Sequence, residues 1–464
     1  MAEPESAPAA TENEGAAAEV GLDPARVFSV VQSLDRDDAA AVRAAVADLH
    51  YADLADLFET LSPEHRAKLV EVLRRRFPAE VIPELDEGIR DEVAGQLGTQ
   101  DLAAAIVDLD SDDALYLIEG LEEGKRRQVL HAIPAALRRQ MEEALAFPEE
   151  SAGRLMQREV VAVPLFWTVG QAIDYMRESD DLPTDFYDIF AVDPKHRPVG
   201  WVPLDKLIRS KRSVKISDIM EHDIEPIPVD MDQEKVAFLF KQHDLTSAPV
   251  VDKAGRLIGT ITVDDVVDVI EQEAEEDLLR LHGVAVTSIH TSLLATVRSR
   301  IVWLAINICT AFIAAAVIGL FEESIEKAVA LAVLMPITAS MGGNAAAQAM
   351  TVTVRAIATR ELTAANAMRI VWKEVLVGSI NGLIFATVAG SVATAWFDDP
   401  LLGICIGAAM ILNLAVAGLV GTAIPLISNR LKIDPAVSSA VIITTITDVV
   451  GFLSFLGLAT LLLL

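Results

Sequence analysis

One carboxylate stands inside the last apolar run of the chain, "VIITTITDVVGFLSFLGLATLLLL", at Asp448. The nearest other charge is Asp434, fourteen residues upstream. An acid at the centre of a membrane helix costs about 2.5–3.5 kcal/mol on insertion scales, so a chain that keeps one has a use for it. Two chemistries suit it: holding a cation, or carrying a proton. A second apolar run, "LMPITASMGGNAAAQAMTVTVRA", carries Asn344 and Gln348 at i and i+4, on one helix face. Pro336 removes a backbone donor there, and Gly342-Gly343 allow close approach or a local break. A third run, "NLAVAGLVGTAIPL", again puts Gly and Pro at mid-membrane depth. Small residues, Asn and Gln also serve plain helix packing. Packing has no need of an acid, so Asp448 favours a cation or proton path.

These residues need spanning helices to hold them. Five apolar stretches approach spanning length: about 301–320, 328–354, 371–396, 402–427 and 436–464. Arg298 and Arg300 precede the first. Arg355, Arg360, Arg369 and Lys373 lie in the second connection, and Arg430 and Lys432 in the fourth. The other two connections, "FEESIEK" and "FDDP", hold one lysine and five acids. By the positive-inside rule the N-terminal part is cytoplasmic, the C-terminus is outside, and the protein belongs in the cell membrane.

A net charge of −30 and a mean hydropathy of +0.38 conflict unless the chain is divided. Residues 290–464 hold nine of the 68 acids and nine of the 38 Lys and Arg, so 59 acids and 29 bases remain in residues 1–289. An acidic soluble part precedes a neutral membrane part. Residues 1–27 read as a disordered acidic tail without signal-peptide features. Cys309 and Cys405 both lie in apolar runs and read as packing residues. No nucleic-acid partner is expected. Neither is an enzyme: HExxH, GxSxG and Walker sequences are missing, and one mid-span acid per chain does not make an aspartyl protease.

Residues 28–150 look helical and repetitive. "DLADLFETLSPEHRAKLV" (53–70) aligns with "DLAAAIVDLDSDD" (101–113) and "DALYLIEGLEEGKRRQVL" (113–130), each apolar stripe closing on Leu61, Leu109 or Leu121. Stacked helical hairpins, or an ordinary bundle, would bury such stripes. From about 151 to 270 two units repeat at a spacing of 59: "FAVDPKHRPVGWVPLDKL" (190–207) aligns with "PVVDKAGRLIGTITVDDV" (249–266). This resembles a tandem CBS-domain pair, an α/β sensor module. The second unit has the nucleotide-contact pattern of such domains at Gly259, Thr262 and Asp265. The first has Pro203 and Lys206 at the last two places. ATP is therefore a possible ligand of the second unit alone. A strongly acidic segment, about 271–297, then joins the pair to the first span.

A helical-repeat domain, a CBS pair, a connecting helix and a five-helix transmembrane domain (298–464) together resemble the MgtE family of magnesium transporters and channels. The stretches that carry the resemblance are "MGGNAAAQAMTVTVRAIATREL", "GTAIPL" and "IDPAVSSAVIITTITDVVG". The resemblance implies a homodimer in the lipid bilayer, conducting Mg2+ through a pore lined by the second and fifth spans. On it, Asp448 falls on the ion-binding acid, Gly342, Gly343 and Asn344 on the Gly-Gly-Asn segment, and Thr444 and Thr445 on the pore face. Ala346 replaces a glycine common in the family. Regulatory Mg2+ would bind acids matching Asp230, Asp232, Asp252, Glu271, Glu273, Glu276, Asp277 and Asp434, and close the pore. An acid pair of some members' helical domain survives here only as Asp101, its partner position being Ala104. The alternatives are a proton-coupled transporter of Co2+, Ni2+ or Mn2+ using Asp448, or a receptor without an open path.

Overall fold

The computed structural model describes residues 22–179, 182–183, 186–281, 283–284, 293–363 and 365–463, the side chains of 75, 295 and 435–439 excepted. Residues 1–21 of the expected tail, and most of 282–292 in the expected connecting segment, lie outside the described residues. The chain divides into two compact units, Met1–Glu271 and Gln272–Leu464.

The first unit opens with short helices: α1 (Pro24–Asp35), α2 (Ala39–Val46), α3 (Tyr51–Thr60), α4 (Pro63–Leu73), α5 (Val81–Glu84), α6 (Glu87–Gln96), α7 (Thr99–Asp108), α8 (Ser111–Gly120), α9 (Glu123–Ala132) and α10 (Ala135–Ala144). From α6 onward each is ten residues long, and successive helices start twelve residues apart. Leu49, Leu61, Leu73, Leu85, Leu97, Leu109, Leu121, Ile133 and Leu145 mark the same twelve-residue period back to α2. Where the residue is an extended C-cap, as at Leu61, Leu97, Leu109, Leu121 and Ile133, its N–H still closes onto the last turn and its side chain folds inward. Each repeat therefore ends by inserting one aliphatic group into a shared core, which is why single helices too short to persist alone are held.

The CBS pair follows: α11 (Ala152–Leu155), β1 (Ala162–Pro164), α12 (Val169–Glu178), β2 (Asp188–Val192), β3 (Pro198–Pro203), α13 (Leu204–Arg209), β4 (Ile227–Pro228), α14 (Gln233–His243), β5 (Ser247–Val251), β6 (Leu257–Thr262) and α15 (Val263–Leu281). The strands make two sheets ordered β1-β2-β3 and β4-β5-β6, each with one parallel and one antiparallel pairing. The 59-residue repeat is structural down to single residues. A Cβ on Gly200 would lie 2.6 Å from the Glu221 carbonyl oxygen, and one on Gly259 2.5 Å from that of Gln157. Each glycine admits the segment that crosses the third strand, Trp201↔Glu221 in one unit and Gln157↔Thr260 in the other. Asp193 and Asp252 fold the matching turns, each accepting two backbone N–H bonds and pairing with an arginine four residues on.

The second unit holds the end of α15 and then α16 (Leu293–Gly319), α17 (Glu322–Lys327), α18 (Ala330–Ala358), α19 (Ala367–Phe397), α20 (Pro400–Arg430) and α21 (Pro435–Leu463). All of these but α15 and α17 are long and apolar enough to cross a membrane, which makes five candidate spans among the described residues. α20 is the most buried, at 56% of its apolar window, and packs on α18, α19 and α21. Against α19 it meets small residues: a Cβ on Gly382 would lie 2.8 Å from Ile411 Cα, and one on Gly390 2.8 Å from the Gly403 carbonyl oxygen. Small side chains let backbones touch where lipid gives no hydrophobic drive. Neither Pro336 nor Gly342-Gly343 breaks α18, and α20 passes unbroken through Pro425. Of the two roles expected for the paired glycines, close approach is realised, and at Gly342 rather than Gly343.

Candidate functional site

α18 and α21 carry the polar groups of the span region. Along α18 the residues exposed in the single chain include Ser340, Asn344, Gln348 and Thr351. Their spacing of four, four and three draws one polar stripe down a membrane helix. Gly343 borders it, with nothing within 4 Å of where a Cβ would stand, while Ala346 on the other side is fully buried. On α21, Asp448 is half-buried and Thr444 exposed. The hydroxyls of Thr444 and Thr445 donate to their own helix, to the carbonyls of Ala440 and Val441 at 2.9 and 2.7 Å. The polar atoms that remain for a ligand are thus chiefly the amides of α18 and the carboxylate of Asp448.

Asn413 on α20 keeps these two helices in place, and only its neighbours show this. It is fully buried, and its Nδ2 donates to the Thr338 carbonyl at 2.7 Å. A Cβ on Gly342 would overlap that amide nitrogen and lie 2.8 Å from Cγ. A Cβ on Gly451, three residues past Asp448, would lie 2.8 Å from the same nitrogen. Two glycines on two helices therefore close around one amide. The signal in the sequence is a lone Asn within "AAMILNLAVAG".

At the other end of the unit the last turn of α15 meets the helical bundle. Gly283, at φ 68°, ends the helix: its N–H bonds to the Arg280 carbonyl and that of Val284 to Leu279, a left-handed termination that favours glycine. Leu281 packs with Ala346, Met350, Val354, Ala417 and Ile443. Arg280 Nη1 donates to Asp434 Oδ2 at 2.9 Å, and the same guanidinium pairs with Glu276 one turn earlier. Asp277 is held above the usual carboxylate range, first by burial, then by the charges of Asp434 and Glu273. Among the expected metal acids, the structure thus brings Glu273, Glu276, Asp277 and Asp434 into one neighbourhood.

The remaining candidates are engaged otherwise or exposed. Asp252 serves its turn, and hydrogen bonds from and pairing with Arg256 hold its carboxyl low. Asp232 caps α14, accepting the Lys235 N–H at 3.4 Å. Asp230 and Glu271 are exposed. Asp101 accepts from Arg74 Nε at 2.8 Å. Among the described residues no three His, Cys, Asp or Glu side chains converge as a ready-made cation cage. The donor set at the α15–α21 junction nevertheless fits a hard divalent cation: it is all carboxylate oxygen, and its mutual repulsion is what such an ion relieves.

The residues of the nucleotide pattern are also accounted for. Thr262 lines a small cleft between the two CBS units, with Tyr187, Asp188 and Ser247. Its hydroxyl donates to Asp265 Oδ2 at 2.7 Å. Holding a proton, Asp265 donates to Asp112 of α8, and burial followed by the Asp112 charge pushes it well up. Asp112 is buried and its Oδ1 finds no partner. Ser111 beside it accepts the Arg158 N–H at 2.8 Å and donates to Glu159 at 2.7 Å, tying the helical repeats to the CBS pair.

Five apolar spans, a CBS pair and an all-helical repeat domain define a multi-pass membrane protein with a sensor-type module. Family profiles match accordingly: MgtE intracellular N domain over residues 49–150, CBS domain over 152–213 and 216–272, and MgtE, divalent cation transporter, over 335–458. The magnesium transporter MgtE of Thermus thermophilus is 33% identical over 442 residues, 94% of this chain and 98% of that protein. That of Bacillus subtilis is 28% identical over 420 residues, 90% of this chain and 93% of its own length. The chain belongs to the MgtE family. A crystal structure of the cytosolic domain of the Mg2+ channel MgtE in complex with ATP is 30% identical, with a TM-score of 0.49, covering 52% of this chain and 99% of that one.

Proposed function

We propose that this protein carries Mg2+ across the cell membrane, as its curated relatives are named for doing, through an aqueous path between two copies of the chain. The observation that carries the reading is the polar stripe Ser340–Asn344–Gln348–Thr351, exposed on the spanning helix α18, with the half-buried Asp448 on the spanning helix α21. Facing hydrocarbon, such groups would cost several kcal/mol, on the order of that for each unsatisfied polar group. Facing a second copy across water, they become ligands. Mg2+ gives up its water reluctantly and prefers octahedral oxygen coordination. Amide oxygens and two symmetry-related carboxylates can hold the hydrated ion through its water shell, and binding through water is weak enough to let it leave.

The acidic junction at Glu273, Glu276, Asp277 and Asp434 is where a second, regulatory Mg2+ would bind. There the ion would supply positive charge between like-charged carboxylates, favouring the form in which α15 is held to the bundle and the path is shut. The segregated negative charge of residues 1–289 supports the same direction.

Uptake of Mg2+ into liposomes by the purified protein tests the main reading. Wild type should load the vesicles and Asp448→Ala should not, while both elute as the same folded species. Uptake undiminished in the variant removes Asp448 from the path. Flux that follows an imposed pH gradient but not Mg2+ favours proton coupling instead.

A further inference from the structure

The junction's acids face a cation already supplied by the chain. Arg280 sits one turn from Glu276, opposite Asp434, and touches both. Glu273 and Asp277 lie close enough to act on the same neighbourhood through their charges. The contacts are made on a turn fixed from two other sides, by Leu281 in its apolar cluster and by Gly283 against the Trp303 ring. The arginine is therefore positioned rather than free to sweep through solvent. Its side chain and those of both partners are only about one-third exposed, 37% for Arg280, 34% for Glu276 and 28% for Asp434. A guanidinium meets a carboxylate through a fixed fork of donors and satisfies the same oxygen lone pairs that a metal ion uses.

We propose that Arg280 is the resident counter-cation of this junction: it joins Glu276 to Asp434 when no divalent ion is bound, and a divalent ion must displace it from those oxygens to bind. The inference rests on the reading that Mg2+ binds here, and adds which residue of the chain sets the concentration at which it does so. Two consequences follow by mass action. Without Arg280 the metal-free junction loosens. With this competitor gone and the junction one unit more negative, Mg2+ then binds at lower concentration. The size expected is that of a partly exposed ion pair, about three- to fivefold in the midpoint.

The test is hydrogen exchange, followed by mass spectrometry, of the peptide spanning residues 272–284 in the full-length protein. Mg2+ is titrated at constant ionic strength after chelator treatment. In wild type, protection should rise with Mg2+. In Arg280→Gln, protection in chelator should fall and the Mg2+ midpoint should drop about three- to fivefold; Arg280→Lys should lie between. Asp434→Asn, which removes a partner of both cations, should raise the midpoint. A lowered midpoint in Arg280→Gln and a raised one in Asp434→Asn support the competition. An Arg280→Gln midpoint equal to or above wild type overturns it while leaving the junction as a metal site. Wild-type protection that ignores Mg2+ overturns both, whatever the liposome assay shows for Asp448.

Discussion

Adjacent glycines of α18 should respond oppositely to the same substitution. At position 342 a Cβ would overlap the Asn413 amide nitrogen and sit 2.8 Å from Cγ and 3.0 Å from Oδ1. Ordinary carbon contacts lie near 3.5–4.0 Å, so Asn413 must retreat by about 1 Å. It has no solvent to retreat into, being fully buried, and moving breaks its 2.7 Å bond to the Thr338 carbonyl. Overpacking costs about 1–3 kcal/mol and the lost buried hydrogen bond about 1 more. Gly342→Ala should therefore destabilise the second unit by about 2–4 kcal/mol, or roughly 4–16 °C in Tm for a unit of this size. At position 343 nothing lies within 4 Å, so Gly343→Ala should be neutral or gain up to about 1 kcal/mol in helix propensity. The decisive variant is Gly342→Ala with Asn413→Ala. Removing the amide removes the obstacle, so the double variant should melt no lower than Asn413→Ala alone, a coupling of about 2–4 kcal/mol. Melting of the detergent-solubilised full chain, read as loss of the monodisperse peak after heating, gives all four values. If Gly342→Ala melts with wild type, or the two single effects simply add, the packing argument is wrong.

The acids that join the helical repeats to the CBS pair should make that contact stronger in acid. Asp112 is raised by burial, Asp265 by burial and then by the Asp112 charge, and Asp113 is pushed up to about 7, by burial first and then by Asp112 and Asp110. Since the unfolded value is near 3.8, the folded form holds protons the unfolded form releases, and stability is lost as pH rises from about 4 through 7 for Asp113 and on to about 9 for Asp265. Hydrogen exchange of α8 in chelator should show protection falling over that window by up to about 1.4 kcal/mol per pH unit for each proton, with a flatter profile for Asp112→Asn; a profile as steep in the variant refutes the assignment. Gly259→Ala and Gly200→Ala should each destabilise the first unit by about 1–3 kcal/mol without any nucleotide present, because the crossing segment has no room for a methyl group. A Gly259→Ala protein with unchanged melting but weakened ATP binding would instead return that glycine to a ligand role.

What was legible in the sequence was whatever repeats along it. The five spans follow from run length and the CBS pair from a 59-residue spacing that Gly200 and Gly259, and Asp193 and Asp252, obey to the residue. The helical repeat was half legible. The alignments at 53, 101 and 113 differ by multiples of twelve, yet Leu61, Leu109 and Leu121 read as ends of separate stripes, and only the folded helices show Leu73, Leu85 and Leu97 keeping the same period between them. A twelve-residue period has no single helical or strand phase to announce it, since it contains one helix and one extended cap.

Contacts between distant segments left no such trace. Gly259, Thr262 and Asp265 share one sequence pattern, but nothing in that pattern announces that Asp265 also meets Asp112 of the helical domain. The acids of α15 form a charge run in the sequence, whereas the residue that ties one of them, Glu276, to Asp434 ahead of α21 is the single arginine of that helix. Most telling is "GGN". Gly342 and Gly343 are chemically identical neighbours, and no property of that stretch says which one is obligatory. The distinction is made seventy-one positions away, by an asparagine on α20 whose amide reaches the Thr338 carbonyl only if position 342 has no side chain. One helical step rotates a side chain by about 100°, so adjacent residues point to different neighbours. Whether a residue is constrained therefore depends on the rotational setting of each helix against the others, and that setting belongs to the packed bundle, not to any segment of it.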